Sequence, residues 1–146
     1  MTAERDRAHD LVARARWLAF IPAVWFGALC HQAVVRGFGV PGDILATFPP
    51  PEVIRRAELI FGAAAAVTVI ATMLLAILLG PPRRPLFQVF AVAVVYAAVC
   101  TFDLTHLGRA TPPALLHAGI VDLSVSIALS LAVLCGVAVM TRKKAG

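Results

Sequence analysis

Four long apolar segments, separated by short stretches that contain proline, occupy most of this sequence. They cover about residues 17–35, 57–79, 86–107 and 114–140. A helix of about 20 apolar residues, within a range of about 17–25, crosses the hydrocarbon core of a bilayer. In lipid, a helix satisfies all its backbone hydrogen bonds within its own segment. The sequence therefore predicts an all-α, polytopic membrane protein, folded as one domain in a four-transmembrane-helix bundle.

The composition agrees with a chain that is surrounded by lipid. Hydrophobic residues make up 60% of the 146 residues and charged residues 14%, whereas soluble domains average about 45–50% and about 25%. The net charge of +5 comes from basic residues that flank the apolar segments, which is typical of topology signals. We therefore expect the lipid bilayer as a partner, and no binding of nucleic acid.

Lys and Arg are divided unequally between the two predicted sides of the membrane. Of the 13, nine fall on the side of the two termini and the second connection: Arg5, Arg7, Arg14, Arg16, Arg83, Arg84, Arg142, Lys143 and Lys144. The other four are Arg36, Arg55, Arg56 and Arg109. Since the basic side is usually cytoplasmic, we predict a multi-pass protein of the inner (cytoplasmic) membrane with both termini in the cytoplasm. No small-residue cleavage site ends the first segment, which favours a retained helix over a signal peptide.

Small residues recur at every fourth position on two of the predicted spans. The fourth span carries Ser124, Ala128, Ala132 and Gly136, and the second carries Ala64, Thr68, Thr72 and Ala76. Such spacing lets helix backbones approach each other closely in a membrane. It predicts helix packing, either within the chain or between copies, although an alanine-rich sequence also produces this spacing by chance.

Ionisable and thiol side chains gather toward the outer ends of all four predicted spans. They are Cys30 and His31 on the first, Glu58 on the second, Cys100, Asp103 and His106 on the third, and His117 and Asp122 on the fourth. Asp122 lies deepest, about 10 Å along its helix from Leu115 at 1.5 Å per residue. Ionisable groups within a membrane are costly and mark functional sites by default.

These side chains leave three functions open. His31, His106 and His117, with Asp103 and Cys100, could bind a transition metal or haem, because imidazole and thiolate are common ligands of both. Asp122 and Glu58 could be the titrating groups of a transporter or proton-coupled carrier. The small-residue spacing could instead mark a structural subunit of a homo-oligomer or a larger membrane complex.

Plainer interpretations compete with each of these functions. No short metal-binding motif such as CxxC occurs, so the polar groups could simply form hydrogen bonds between helices. Cys30 and Cys100 could form a disulfide or pack as small apolar side chains. No nucleophile with a matching base is recognisable, which makes an enzyme the less favoured class.

Three short stretches carry a family resemblance. They are "VWFGAL" (24–29), "FPPPEVIRRAELIF" (48–61) and "LHAGIVDLSVS" (116–126), the last opening a helix with His117. They resemble the transmembrane protein 205-like family of small four-span membrane proteins, although the first connection is longer here. The resemblance implies four spans, a membrane role linked to tolerance of metal compounds, and no enzymatic activity.

Overall fold

In the part of the chain that the structure describes, four long α-helices follow one another. The computed structural model describes residues 8–12, 15–45, 48–80, 84–107 and 113–143, and the side chains of all of these except 45, 100, 103–107, 113, 114 and 143. The helices are α1 (Phe20–Phe38), α2 (Pro51–Leu79), α3 (Pro85–Leu107) and α4 (Pro113–Lys143). Short 3₁₀ turns cover Arg16–Ala19 and Gly42–Leu45. The described residues contain no strand, so the all-α fold is confirmed.

Proline and glycine set the ends of these helices. Pro51 is the first residue of α2, where its missing N–H leaves no hydrogen bond unmade. At the end of α1, Gly39 adopts a φ of 67° and its N–H donates to the carbonyl oxygen of Val35 at 3.1 Å. This positive φ favours glycine, which has no Cβ to clash with the adjoining backbone.

Among the described residues, three helical stretches are long and apolar enough to cross a membrane. They are Ala8–Phe38, Pro51–Leu79 and Leu115–Arg142. The apolar part of α3 whose side chains are described, Pro85–Val99, is shorter. By length and composition the chain is therefore a membrane protein, and the crossing of the bilayer by α3 stays a prediction.

The second helix organises the packing of the bundle. Helix α2 packs along both α1 and α4, while α3 packs mainly against α4. Helices α1 and α4 have few backbone contacts with each other, so they lie diagonally across the bundle. Apolar side chains from all four helices form the main core, in which the buried residues are Ala23, Val69, Met73, Ala76, Val89, Val92 and Val137.

Helix α1 meets α2 through the predicted small residues of α2. Ala64, Thr68, Thr72 and Ala76 are all fully buried. Gly27 of α1 lies directly against this row, because a Cβ placed on it would overlap Thr72 Oγ1. Close approach of the two backbones therefore depends on the absence of a side chain at Gly27.

The predicted row of small residues on α4 does not face the bundle. Ser124, Ala128, Ala132 and Gly136 are all exposed, and a Cβ placed on Gly136 would have no neighbour within 4 Å. The inward face of α4 carries Ala118, Asp122, Ser126 and Ser130 instead. A shift of two residues turns a helix by about 200°, which points the predicted row away from the bundle. Packing through that row would need another chain.

Candidate functional site

An acid–histidine pair joins the two diagonal helices. His31 Nε2 of α1 lies 3.0 Å from Asp122 Oδ2 of α4. The two side chains are 24% and 17% exposed. Asp122 comes nine residues after the start of α4, which is about 13 Å along the helix. His31 comes seven residues before the end of α1, which is about 10 Å along that helix. The pair therefore lies well inside the bundle, toward the end at which α1 stops and α4 begins.

The neighbours of the pair explain its geometry. Gly27 precedes His31 by one helical turn on the same face, so its close contact with α2 brings His31 toward that helix. The ring of Phe61 on α2 meets the His31 ring edge-on, with centroids 6.1 Å apart. On α4, Ala118 and Ser126 are buried one turn before and one turn after Asp122. Small neighbours thus leave space for both polar side chains.

One carboxylate oxygen of the pair is left unsatisfied. Asp122 Oδ1 is buried and has no hydrogen-bond partner in the described part of the chain. A buried acceptor without a donor costs about 1–3 kcal/mol, and more when it is charged. The site therefore favours anything that brings an N–H group or a positive charge to Oδ1.

A cavity adjoins the pair and reaches the third helix. Its volume is about 210 Å³. Besides His31 and Asp122, its polar lining residues are Gln32 of α1 and Tyr96 of α3. Drug-sized ligands occupy pockets of about 300–1,000 Å³. This cavity is smaller and suits an ion with a few waters, or a small polar molecule.

A second cavity lies between α3 and α4. It has a volume of about 200 Å³ and shares Tyr96 with the first. Its lining includes Ser126 and Ser130, both nearly fully buried. Ser126 Oγ has no hydrogen-bond partner in the described residues. The two cavities therefore place hydroxyl groups along α4 from Asp122 toward the opposite end of the bundle.

An apolar layer covers the pair on the side where α1 ends. Ile44, in the connection between α1 and α2, is buried against Ala57 and Ala118. Phe61 and Leu115 pack around these three residues. Because Phe61 also contacts His31, this layer, which we call the outer plug, separates the pair from the nearer end of the bundle.

The structure brings two of the residues proposed from the sequence together and places others apart. His31 and Asp122 are in contact, although the sequence analysis assigned them to different functions. His117 is exposed, and Glu58 is half-buried on α2, one turn before Phe61. Cys100, Asp103 and His106 lie on α3, but their side chains are outside the described residues, so the metal or haem hypothesis stays a prediction. The Cys30 thiol is free and forms no disulfide in this structure.

The described side chains form no clear metal centre. No group of three or more His, Cys, Asp and Glu side chains that could hold a metal ion occurs among them. Cys30 and Cys135 are free thiols, half-buried and exposed respectively.

Sequence reasoning missed four polar residues of this region: Gln32, Tyr96, Ser126 and Ser130. The two serines carry a signal, because they follow Asp122 at intervals of four residues and therefore share its helix face. Gln32 is adjacent to His31 in sequence. Tyr96 has no such signal, since only the packing of α3 against α4 brings it to the site.

The chain has no match among protein-family models, curated proteins or solved structures. The resemblance to the transmembrane protein 205-like family therefore stays a prediction, and the proposed function depends on the geometry alone.

Proposed function

We propose that this protein is a small proton-coupled carrier that exchanges a proton for a small monovalent cation at Asp122. The observation that carries the proposal is the Asp122 carboxylate: one oxygen contacts His31, and the other is buried without a hydrogen-bond partner among the described residues. Asp122 also lines a small cavity that has further polar residues in its lining. A binding or purely structural role for the pair is the alternative that the experiments below must exclude.

The first support is the charge balance of the pair. Imidazole with carboxylic acid and imidazolium with carboxylate are both electrically neutral, and both hold one shared proton between Nε2 and Oδ2. Removal of this proton leaves a carboxylate in a low-dielectric environment, where an Asp at the centre of a bilayer costs about 2.5–3.5 kcal/mol. A cation that binds at Oδ1 restores neutrality, so cation binding and proton release are linked.

The second support is the presence of three hydroxyl-bearing side chains in the cavities near the pair. Tyr96 borders both cavities, and Ser126 and Ser130 line the second one. Hydroxyl oxygens are suitable ligands for a partly dehydrated cation. Glu58 lies about 4.5 Å of helix rise beyond Phe61, on the side of the outer plug. It is positioned to attract a cation or accept the proton there.

We further propose that all four helices cross the membrane, with both termini in the cytoplasm. The support is the excess of Lys and Arg on the side of the termini. In a variant without the three native cysteines, single cysteines at positions 43 and 142 should be labelled from opposite sides of intact cells. Labelling of both from one side would contradict this topology.

The carrier proposal can be tested in proteoliposomes that hold an internal pH indicator and a preset proton gradient. Na⁺, K⁺ and Li⁺ are added outside in turn. We expect at least one of them to dissipate the gradient with wild-type protein and to have no effect with Asp122→Asn. His117→Gln is the matched control, because His117 lies on the same helix but is exposed. It should transport like the wild type.

The structure predicts that these variants fold. Interhelical hydrogen bonds in membrane proteins contribute about 0.6 kcal/mol on average and about 1.7 kcal/mol at most. Loss of the pair should therefore leave the bundle intact. The carrier proposal is wrong if none of the three cations dissipates the gradient, or if Asp122→Asn transports normally.

A structural role as an oligomer is the second candidate. The observation that favours it is the exposed row Ser124, Ala128, Ala132 and Gly136 on α4, since rows of small residues mediate helix association in membranes. Subunit counting by photobleaching in vesicles should show more than one copy for wild type and single copies for Ala132→Leu. Single copies of the wild-type protein would exclude this candidate.

A further inference from the structure

A groove opens at the basic end of the bundle, between the start of α3 and the end of α4. Its volume is about 560 Å³, more than twice that of the cavity beside Asp122. Arg84 and Thr141 line it at the helix ends, and Phe87, Phe90 and Leu134 line it further in. The groove is remote from the His31–Asp122 pair and has no part in the proposed exchange.

The polarity of the groove changes along its length. From Arg84 to Phe90 the chain advances by about 9 Å, and from Thr141 back to Leu134 by about 10 Å. One end thus presents a guanidinium and a hydroxyl, and the other presents only apolar side chains. This is the order of a phospholipid, in which a charged headgroup precedes an acyl chain.

Aromatic contacts indicate the depth of the polar end. Trp17 packs edge-on against Phe87 with ring centroids 5.1 Å apart, and the Arg84 guanidinium lies 5.7 Å from the centre of the Trp17 ring. Gln88, which is fully buried, donates from Nε2 to the carbonyl oxygens of Arg16 at 3.2 Å and Trp17 at 3.4 Å. Tryptophan is enriched at the membrane–water interface, so this fixed group marks the headgroup level.

The charge of the groove determines which headgroup fits. Its lining includes no acidic residue among the described side chains, and the first turn of α3 has none. Arg142, next to Thr141, is exposed and adds a second positive charge nearby. A guanidinium stacked on an aromatic ring keeps its N–H donors free at its edge, where they match phosphate oxygens.

We infer that this groove binds an anionic phospholipid from the adjacent leaflet. The Arg84 guanidinium binds the headgroup phosphate, and the acyl chain lies along Phe87, Phe90 and Leu134. This inference requires the basic ends of α3 and α4 to lie in a bilayer, but it does not require cation exchange at Asp122. The two proposals can therefore fail separately.

Fluorescence quenching of Trp17 tests the inference directly. The chain has two tryptophans, so Trp25→Phe leaves Trp17 as the only one. The variant is reconstituted in mixed vesicles of phosphatidylcholine and phosphatidylglycerol, with bromine on the acyl chains of either lipid at the same mole fraction. Attraction of about 1 kcal/mol per basic residue predicts about fivefold enrichment of phosphatidylglycerol next to Trp17.

Three further variants, made in the same background, locate the binding site. Arg84→Gln should abolish the excess quenching by brominated phosphatidylglycerol. Arg36→Gln is the matched control, because Arg36 is an exposed arginine at the other end of the bundle, and it should keep the excess. Leu134→Phe fills the apolar part of the groove without changing its charge, and it should reduce the excess.

Several results would overturn the inference. Equal quenching by the two lipids would show that there is no preference, and excess quenching that survives Arg84→Gln would place the lipid elsewhere. Persistence of the excess in Leu134→Phe would indicate surface attraction without a groove. If the two lipids quenched Trp17 equally while millimolar inorganic phosphate changed the Trp17 emission in an Arg84-dependent way, the site would bind a free phosphate anion and not a lipid.

Discussion

Gly27→Ala is the substitution that tests the packing of α1 against α2 most sharply. The new methyl group would overlap Thr72 Oγ1 and would lie 3.1 Å from Thr72 Cβ and 3.3 Å from Thr68 Cγ2. Thr72 is fully buried and its hydroxyl donates to the Thr68 carbonyl oxygen at 2.6 Å. Relief of the overlap therefore requires either rotation of Thr72 with loss of this hydrogen bond, or separation of the two helices.

The expected cost follows from these contacts. Overpacking costs about 1–3 kcal/mol, and a lost hydrogen bond about 1 kcal/mol. The intrinsic preference of helices for Ala over Gly offsets this destabilisation by up to about 1 kcal/mol. We therefore expect a net destabilisation of about 1–3 kcal/mol. Gly136→Ala is the matched control, because it has the same intrinsic gain and no neighbour within 4 Å, so it should be neutral or slightly stabilising.

The assay is reversible unfolding in mixed micelles with increasing sodium dodecyl sulfate, followed by tryptophan fluorescence. Thr72→Ala removes the overlapping oxygen, so the double variant Gly27→Ala/Thr72→Ala should be more stable than the sum of the two single effects predicts. Because Gly27 lies one turn from His31, Gly27→Ala should also weaken the His31–Asp122 contact. Equal stability of Gly27→Ala and Gly136→Ala, or additive effects in the double variant, would refute the packing argument.

Two further predictions concern the ends of the bundle. Ile44→Ala should remove the centre of the outer plug and lower the free energy of unfolding in the same micelle assay by about 2–5 kcal/mol; an unchanged free energy would show that Ile44 does not hold the plug together. Gln88→Leu should free the 3₁₀ turn that contains Trp17, because its two hydrogen bonds to backbone carbonyls are lost. Acrylamide should then quench Trp17 more strongly in the Trp25→Phe background, and unchanged quenching would contradict this.

The positions of the helices could be predicted from the sequence because hydrophobicity and proline are local signals. The predicted span 57–79 begins later than the helix itself, which starts at Pro51. Residues 51–56 include Glu52, Arg55 and Arg56, which are too polar for a hydrocarbon core but are compatible with a helix outside it. Hydropathy therefore detects the part of a helix that suits lipid, and the helix continues for as long as its hydrogen bonds are satisfied.

The partners of the polar residues could not be predicted in the same way. Small side chains recur every four residues on two faces of α4, and their composition does not show which face points into the bundle. The position of Asp122 shows it, because a costly ionisable group in a membrane faces the protein. Ser126 and Ser130 share the helix face of Asp122 and are buried, whereas Ser124 and Ala128 lie on another face and are exposed.

The pairing of Asp122 with His31 depends on tertiary structure. These residues are 91 positions apart and lie on helices that hardly touch each other. They meet only because α2 holds α1 on one side and α4 on the other. Tyr96 reaches the same cavity through the packing of α3 on α4, a contact for which the sequence has no local signal.

Proton release on cation binding tests the central claim most directly. Purified protein in unbuffered detergent solution with a pH indicator is mixed with the cation that is active in proteoliposomes. If the cation displaces the proton shared by His31 and Asp122, about one proton per chain should be released. Asp122→Asn should release none, and His117→Gln should behave like the wild type. A cation that binds the wild-type protein without proton release, or release that persists in Asp122→Asn, would contradict the account.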